Sequence, residues 1–185
     1  MTGVQTCALP ISAHRSGVDF TGFHRENTLC LRVGDDCLYP DDAFRLALPD
    51  GSEFGFFTEV DAGSERIASK MDVESWERKI RLYDRLQDQS PKRFRVLIVS
   101  TQSRERVRHI LELAGRLVRN PQRSLFYGIG LPDYLAESDP LRSACFRDHR
   151  GEPAALLPER YSTPPAWNPP PTRAPPPSRL PSLTT

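Results

Sequence analysis

No run in the 185-residue sequence approaches the roughly 18 apolar residues that a membrane-crossing helix needs, so no membrane partner is expected. There is no Gly-x-x-x-x-Gly-Lys-Ser/Thr phosphate loop, and Gly128-Ile-Gly130 lacks the third glycine and the helix start of a dinucleotide fingerprint. A Gly-x-Ser-x-Gly nucleophile elbow is also missing. These absences remove the commoner chemistries of a mixed α/β domain. Cysteine is sparse: Cys30, Cys37 and Cys145 show no C-x-x-C spacing, and His24 and His149 complete no zinc pattern. Three unpaired thiols predict a reduced, cytoplasmic setting in a bacterium. His24 is expected to have no catalytic role.

The two ends differ from the middle. Residues 1–12, Met-Thr-Gly-Val-Gln-Thr-Cys-Ala-Leu-Pro-Ile-Ser, read as the conceptual translation of a sequencing adapter, and Cys7 then drops out of any redox argument. The segment has no basic start, and Pro10 breaks its short apolar run, so it is not a targeting peptide. The expectation is that the natural N-terminus is missing. From Pro158 to Thr185 prolines dominate, as in Pro169 to Pro171 and Pro175 to Pro177, which predicts a disordered or polyproline II tail. Residues 13–157 remain, about 145 residues, enough for one domain with its own core.

The organising stretch is Tyr39 to Asp61. Pro49-Asp50-Gly51-Ser52 lies between two apolar, aromatic-rich runs; Pro presets one backbone angle and Gly tolerates another, so the segment reads as a β-hairpin. Asp41 or Asp42 starts its first strand, and Glu59 and Asp61 finish its second. The acids therefore gather at one end, a pattern that suits a hard cation or merely a solvated strand end.

Pro40-Asp41, the hairpin, Glu59-Val60-Asp61 and a lysine on the next helix resemble the PD-(D/E)xK nuclease core. More narrowly, Tyr39-Pro-Asp-Asp-Ala-Phe44, Phe57-Thr-Glu-Val-Asp-Ala-Gly-Ser-Glu65 and Lys79-Ile-Arg-Leu-Tyr83 are similar to the replication-relaxation family of plasmids and other bacterial mobile elements. The resemblance covers roughly Glu26 to Leu157. It implies a restriction-endonuclease-like mixed sheet flanked by helices, DNA as the partner, and an upstream winged-helix region, expected to be missing together with the natural N-terminus. One departure is chemical. The nuclease pattern places lysine two residues after the second acid, where this sequence has Asp61. Lys79, on the following helix, is the candidate replacement.

Further along, Trp76 to Leu86 reads as a helix with Trp76, Ile80 and Tyr83 on its apolar stripe and Lys79 at the edge. Phe94 to Thr101 is a compact β-branched run, expected as a buried central strand. Ser103 to Asn120 carries Val107, Ile110, Leu111, Ala114, Leu117 and Val118 at helical spacing, with Arg104, Arg106, Arg108, Arg116 and Arg119 assigned to the other face. Leu125 to Gly130 reads as a strand, and Pro140 to Leu157 as a closing edge segment. The net charge is only +1, but nine acids lie between Asp35 and Glu65, and nine basic residues between Pro91 and Arg123.

Three readings follow. In the first, the domain is a metal-dependent phosphodiesterase: Asp41 (or Asp42) and Glu59 ligate Mg²⁺, with the Val60 carbonyl as third ligand. Lys79 then orients the attacking water or stabilises the growing charge, Asp61 supports the site or holds a second ion, and Arg104, Arg108 and Arg116 bind phosphates. In the second, a non-catalytic DNA- or partner-binding module keeps the nuclease-like fold. In the third, the carboxylates are simply solvated and the domain is structural.

Overall fold

The computed structural model describes residue 13, residues 17–69 and residues 75–157. The adapter-like segment 1–12 and the proline-rich segment 158–185 lie outside the described residues. Among the described residues nine strands and three helices are laid out in the order β1 (Asp19–Arg25), β2 (Leu31–Val33), β3 (Asp36–Leu38), β4 (Asp42–Ala47), β5 (Glu53–Asp61), α1 (Trp76–Gln89), β6 (Phe94–Ser100), α2 (Arg104–Leu117), β7 (Phe126–Gly130), α3 (Leu131–Ala136), β8 (Phe146–Asp148) and β9 (Pro153–Ala154).

The turn at 48–52 closes as its residues dictate. Leu48 and Ser52 share a backbone bond, the Asp50 carboxylate accepts from the Ser52 amide, and Gly51 takes φ 83°, where a side chain would be strained. It joins β4 and β5 antiparallel, with Asp42 opposite Thr58 and Phe44 opposite Phe56. β6 lies parallel to β5 on one side and to β7 on the other, giving a mixed sheet of order β1-β4-β5-β6-β7-β8-β9. Parallel neighbours need crossovers, and two successive crossovers of one hand put both helices on one face. That face holds Trp76, Ile80, Tyr83, Val107, Ile110 and Ala114 against Val96, Ile98 and Phe126. Gly128 permits the close approach of α2, since a Cβ there would lie 2.6 Å from Val107 Cγ1. The opposite face packs Phe44, Leu46, Phe56, Leu97 and Val99 beneath Tyr134, Leu141 and Leu156, with Phe20, Phe44 and Phe56 stacked at 5.0 Å steps.

The strand at Phe94 and the hairpin agree with the sequence reading. α2 is shorter than its periodic pattern, because its cap Ser103 accepts from the Arg106 amide at one end and the chain turns extended at Val118 at the other. The single weak strand expected between Val18 and Cys37 is replaced by three. β1 pairs with β4, while Gly34, at φ 64°, turns β2 into β3 as a separate two-stranded arm. That arm corrects the cysteine reading. Cys30 and Cys37 form a disulfide across it, with Cα atoms 6.0 Å apart, and Cys145 is the free cysteine among the described residues. A six-residue gap carries no pairing signal until the hairpin that closes it is known, so the expectation of a reduced setting loses its basis. No helix among the described residues is long and apolar enough to cross a membrane.

A candidate site at the carboxyl end of strand β5

Strand alternation separates the acids. Phe57, Glu59 and Asp61 point to the helix-covered face, whereas Phe56 and Thr58 point to the other. Asp41, just before β4, sits beside the end of β5: its amide donates to the Thr58 carbonyl at 3.1 Å, and its Oδ2 accepts from the Val60 amide at 2.6 Å. Asp42 turns the opposite way, beside Phe44, Thr58, Leu97 and Val99 in a small apolar recess. Burial, with the charge of Asp41 added, pushes its carboxyl up to about 6. Of the two alternatives, Asp41 is the one near Glu59.

Glu59 has a side chain only 1% exposed, and both its oxygens are engaged. Lys79 Nζ donates to Oε2 at 2.8 Å, and the Tyr83 hydroxyl donates to Oε1 at 2.5 Å. Lys79 also donates to Glu65 Oε1 at 2.7 Å and lies 5.3 Å from the Trp76 ring centroid. Burial raises the Glu59 carboxyl to about 7, although Lys79 and Tyr83 both pull it down. Burial also works against the Lys79 ammonium, but the charge of Glu59 and the bonds to Glu59 and Glu65 outweigh it and hold this lysine above its usual range. Lys79 therefore keeps its proton, and Glu59 is the member of the pair that titrates. Burial and Glu59 together raise the Tyr83 phenol, which stays a donor.

Asp61 is built differently. Its side chain is 0% exposed and receives Arg106 Nε at 2.7 Å, Arg106 Nη2 at 2.8 Å, Ser100 Oγ at 2.7 Å and Trp76 Nε1 at 3.2 Å. Burial favours the neutral acid, but these donors and the Arg106 charge win and hold it below the usual carboxylate range. The sequence pattern places Arg106 on the solvent face with its neighbours, whereas the fold turns it inward. Its position four residues before Ile110, at the N-terminal edge of the apolar stripe, is the signal that turns it inward toward the sheet.

No protein-family model and no curated protein sequence matches this chain. Among solved structures, Pyrococcus furiosus SfsA in complex with Ca²⁺ is similar at 15% identity and a TM-score of 0.30, over 62% of this chain and 48% of that one. The chain thus spans about half the length of that structure.

The resemblance to nucleases implies Mg²⁺, and the donor set can be tested against it. Mg²⁺ keeps several waters and needs an open octahedral face. Glu59 and Asp61 are sealed, each already surrounded by donors, which leaves Asp41 as the more accessible carboxylate. Among the described residues no three of His, Cys, Asp and Glu converge as a metal group. These residues, as folded, do not fit the ion.

Of the three phosphate ligands expected on α2, two are also tied, as is Arg119 just beyond the helix. Arg104 forks onto Asp133. Arg108 lies between Glu105 and Glu112. Arg119 pairs with Asp84 and Asp88. Arg116 is exposed and joins no salt bridge found among the described residues.

Proposed function

We propose that this chain is a nuclease-like α/β domain of the replication-relaxation type, acting on DNA in plasmid or mobile-element replication by binding rather than by cutting. The observation that carries this reading is the fate of Asp61. At the position where the nuclease pattern has its lysine, an acid has become the buried anchor of Arg106, and Glu59 beside it is closed by Lys79 and Tyr83. An acidic pole used as internal cement keeps the fold's geometry while presenting no open carboxylate pair. The test is binding of labelled duplex DNA in the presence of EDTA. The reading expects salt-dependent binding that chelation leaves intact; binding that requires added Mg²⁺ would contradict it.

A second reading, metal-dependent cleavage, is favoured by one specific feature: Asp41, Glu59 and Lys79 do meet on one face, with the lysine supplied by the following helix. It requires Glu59 to leave both of its present donors.

A further inference from the structure

The β2–β3 arm is a two-stranded sheet of its own, apart from the seven-stranded one, and each of its strands is three residues long. A strand pair of that size is marginal alone. Its pairing, Leu31 opposite Leu38 and Val33 opposite Asp36, puts those four side chains on one face. That face meets α1. Val33 and Leu38 are buried in the core with Trp76, Ile80 and Leu82, with Leu31 and Leu86 packed against it. Asp36 accepts from Arg78 Nη2 at 2.7 Å and from Arg85 Nη2 at 2.9 Å. Arg32 and Cys37, paired with each other, take the opposite face, and Cys30 shares it two residues before Arg32. Cys30 is exposed and Cys37 half-buried, so their bond lies on the solvent side of the arm. Two paths lead from the arm to the candidate site. Helix α1 presents Lys79 and Tyr83 to Glu59, and β3 runs on through Tyr39 and Pro40 into Asp41, which is bonded to the Val60 amide.

We infer that the arm is a redox-gated clasp on α1: it stays closed while Cys30–Cys37 is intact, and a dithiol reductant opens it, uncovering the Leu82 and Leu86 flank of the helix and slackening the chain that leads into Asp41. Three things hold the arm shut: the cross-link, the apolar inner face and the ion pairs of Asp36. Half-exposed ion pairs hold weakly. The cross-link is the one that chemistry removes and restores. A thiolate of the reductant attacks one sulfur, the S–S bond breaks, and the second thiol resolves the mixed disulfide. Cys30 and Cys37 leave as thiols with two electrons and two protons, and the reductant becomes a disulfide. Without the bond the open arm regains its chain entropy, and the closed population falls. The clasp operates whether or not the domain binds DNA.

The experiment is hydrogen–deuterium exchange of the full chain, untreated and after incubation with dithiothreitol, with one reducing quench so that both forms yield the same peptides. Peptides covering the arm should exchange tens of times faster in the reduced protein; chain entropy for a loop closed across a separation of 7 residues corresponds to roughly 50-fold. Peptides from the Leu82 and Leu86 flank of α1 should follow, and those from β6 and β7 should not change. Cys30→Ser/Cys37→Ser should exchange as reduced wild type does, with or without dithiothreitol. If that variant fails to fold, seen as faster exchange in β6, the wild-type comparison decides by itself. Equal exchange in the arm of the two wild-type forms would overturn the clasp. A dithiothreitol effect that persists in the folded double variant would overturn it too, since Cys7 or Cys145 would then be its source.

Discussion

Arg106 holds Asp61 through two nitrogens, Nε at 2.7 Å and Nη2 at 2.8 Å, tying helix α2 to the end of strand β5. The acidic segment and the basic segment that stand apart in sequence are therefore locked together in space. Breaking one side of a buried pair leaves the other charge uncompensated, a cost of about 3–5 kcal/mol. Asp61→Ala should destabilise the domain by an amount in that range in urea unfolding. A loss below about 1 kcal/mol would show that the pair is solvated.

The same residue sets the acid limb of stability. The folded Asp61 carboxyl titrates below its unfolded value of about 3.9, so the folded state gives up the proton first. Its contribution is fully present above the unfolded value and is lost as pH falls through the folded one. Thermal melts between pH 6 and pH 2 should lose stability on the acid side, and Asp61→Asn should flatten that fall. An unaltered acid limb in the variant would contradict the assignment.

Glu59 has the opposite sign. Its carboxyl is raised to about 7, so the folded state favours the proton between the unfolded value near 4.3 and about 7. Its contribution is greatest at low pH and is lost as pH rises through the folded value. Glu59→Gln should remove that neutral-pH decline, which comparison of Tm at pH 5 and pH 8 in the two proteins would reveal. Tyr83→Phe removes a donor from the same buried group and should cost about 1.5–3 kcal/mol.

The Cys30–Cys37 bond closes a short loop, for which chain entropy gives about 2–3 kcal/mol. Cys37→Ser should lower stability by up to that amount, and non-reducing peptide mapping of wild type should recover the two cysteines linked. Separate alkylated peptides would contradict the pairing.

Much of the scaffold was legible in the sequence, because local chemistry dictates it. Pro49-Asp50-Gly51 allows little but a turn, and the Phe94 to Ser100 run suits a strand buried on both faces. The choice between Asp41 and Asp42 was not legible, since it depends on which side of a pleat each residue falls. Lys79 was placed on the right helix edge, and its contact with Glu59 follows from α1 crossing over the sheet. Arg106 and Tyr83 were missed as partners because their acids come from another element 45 and 24 residues away. The disulfide was missed for the same reason at shorter range: pairing followed from the β2–β3 hairpin, not from spacing.

The central claim is that the acidic pole is structural and that the domain binds DNA without cutting it. Its most direct test is incubation of the full chain with supercoiled plasmid in Mg²⁺ or Mn²⁺, beside Glu59→Gln, with retention of the plasmid on the protein followed in parallel. The account predicts a protein that shifts the plasmid and leaves it supercoiled. Metal-dependent nicking or linearisation that disappears in Glu59→Gln would contradict it and identify Lys79 and Glu59 as catalytic.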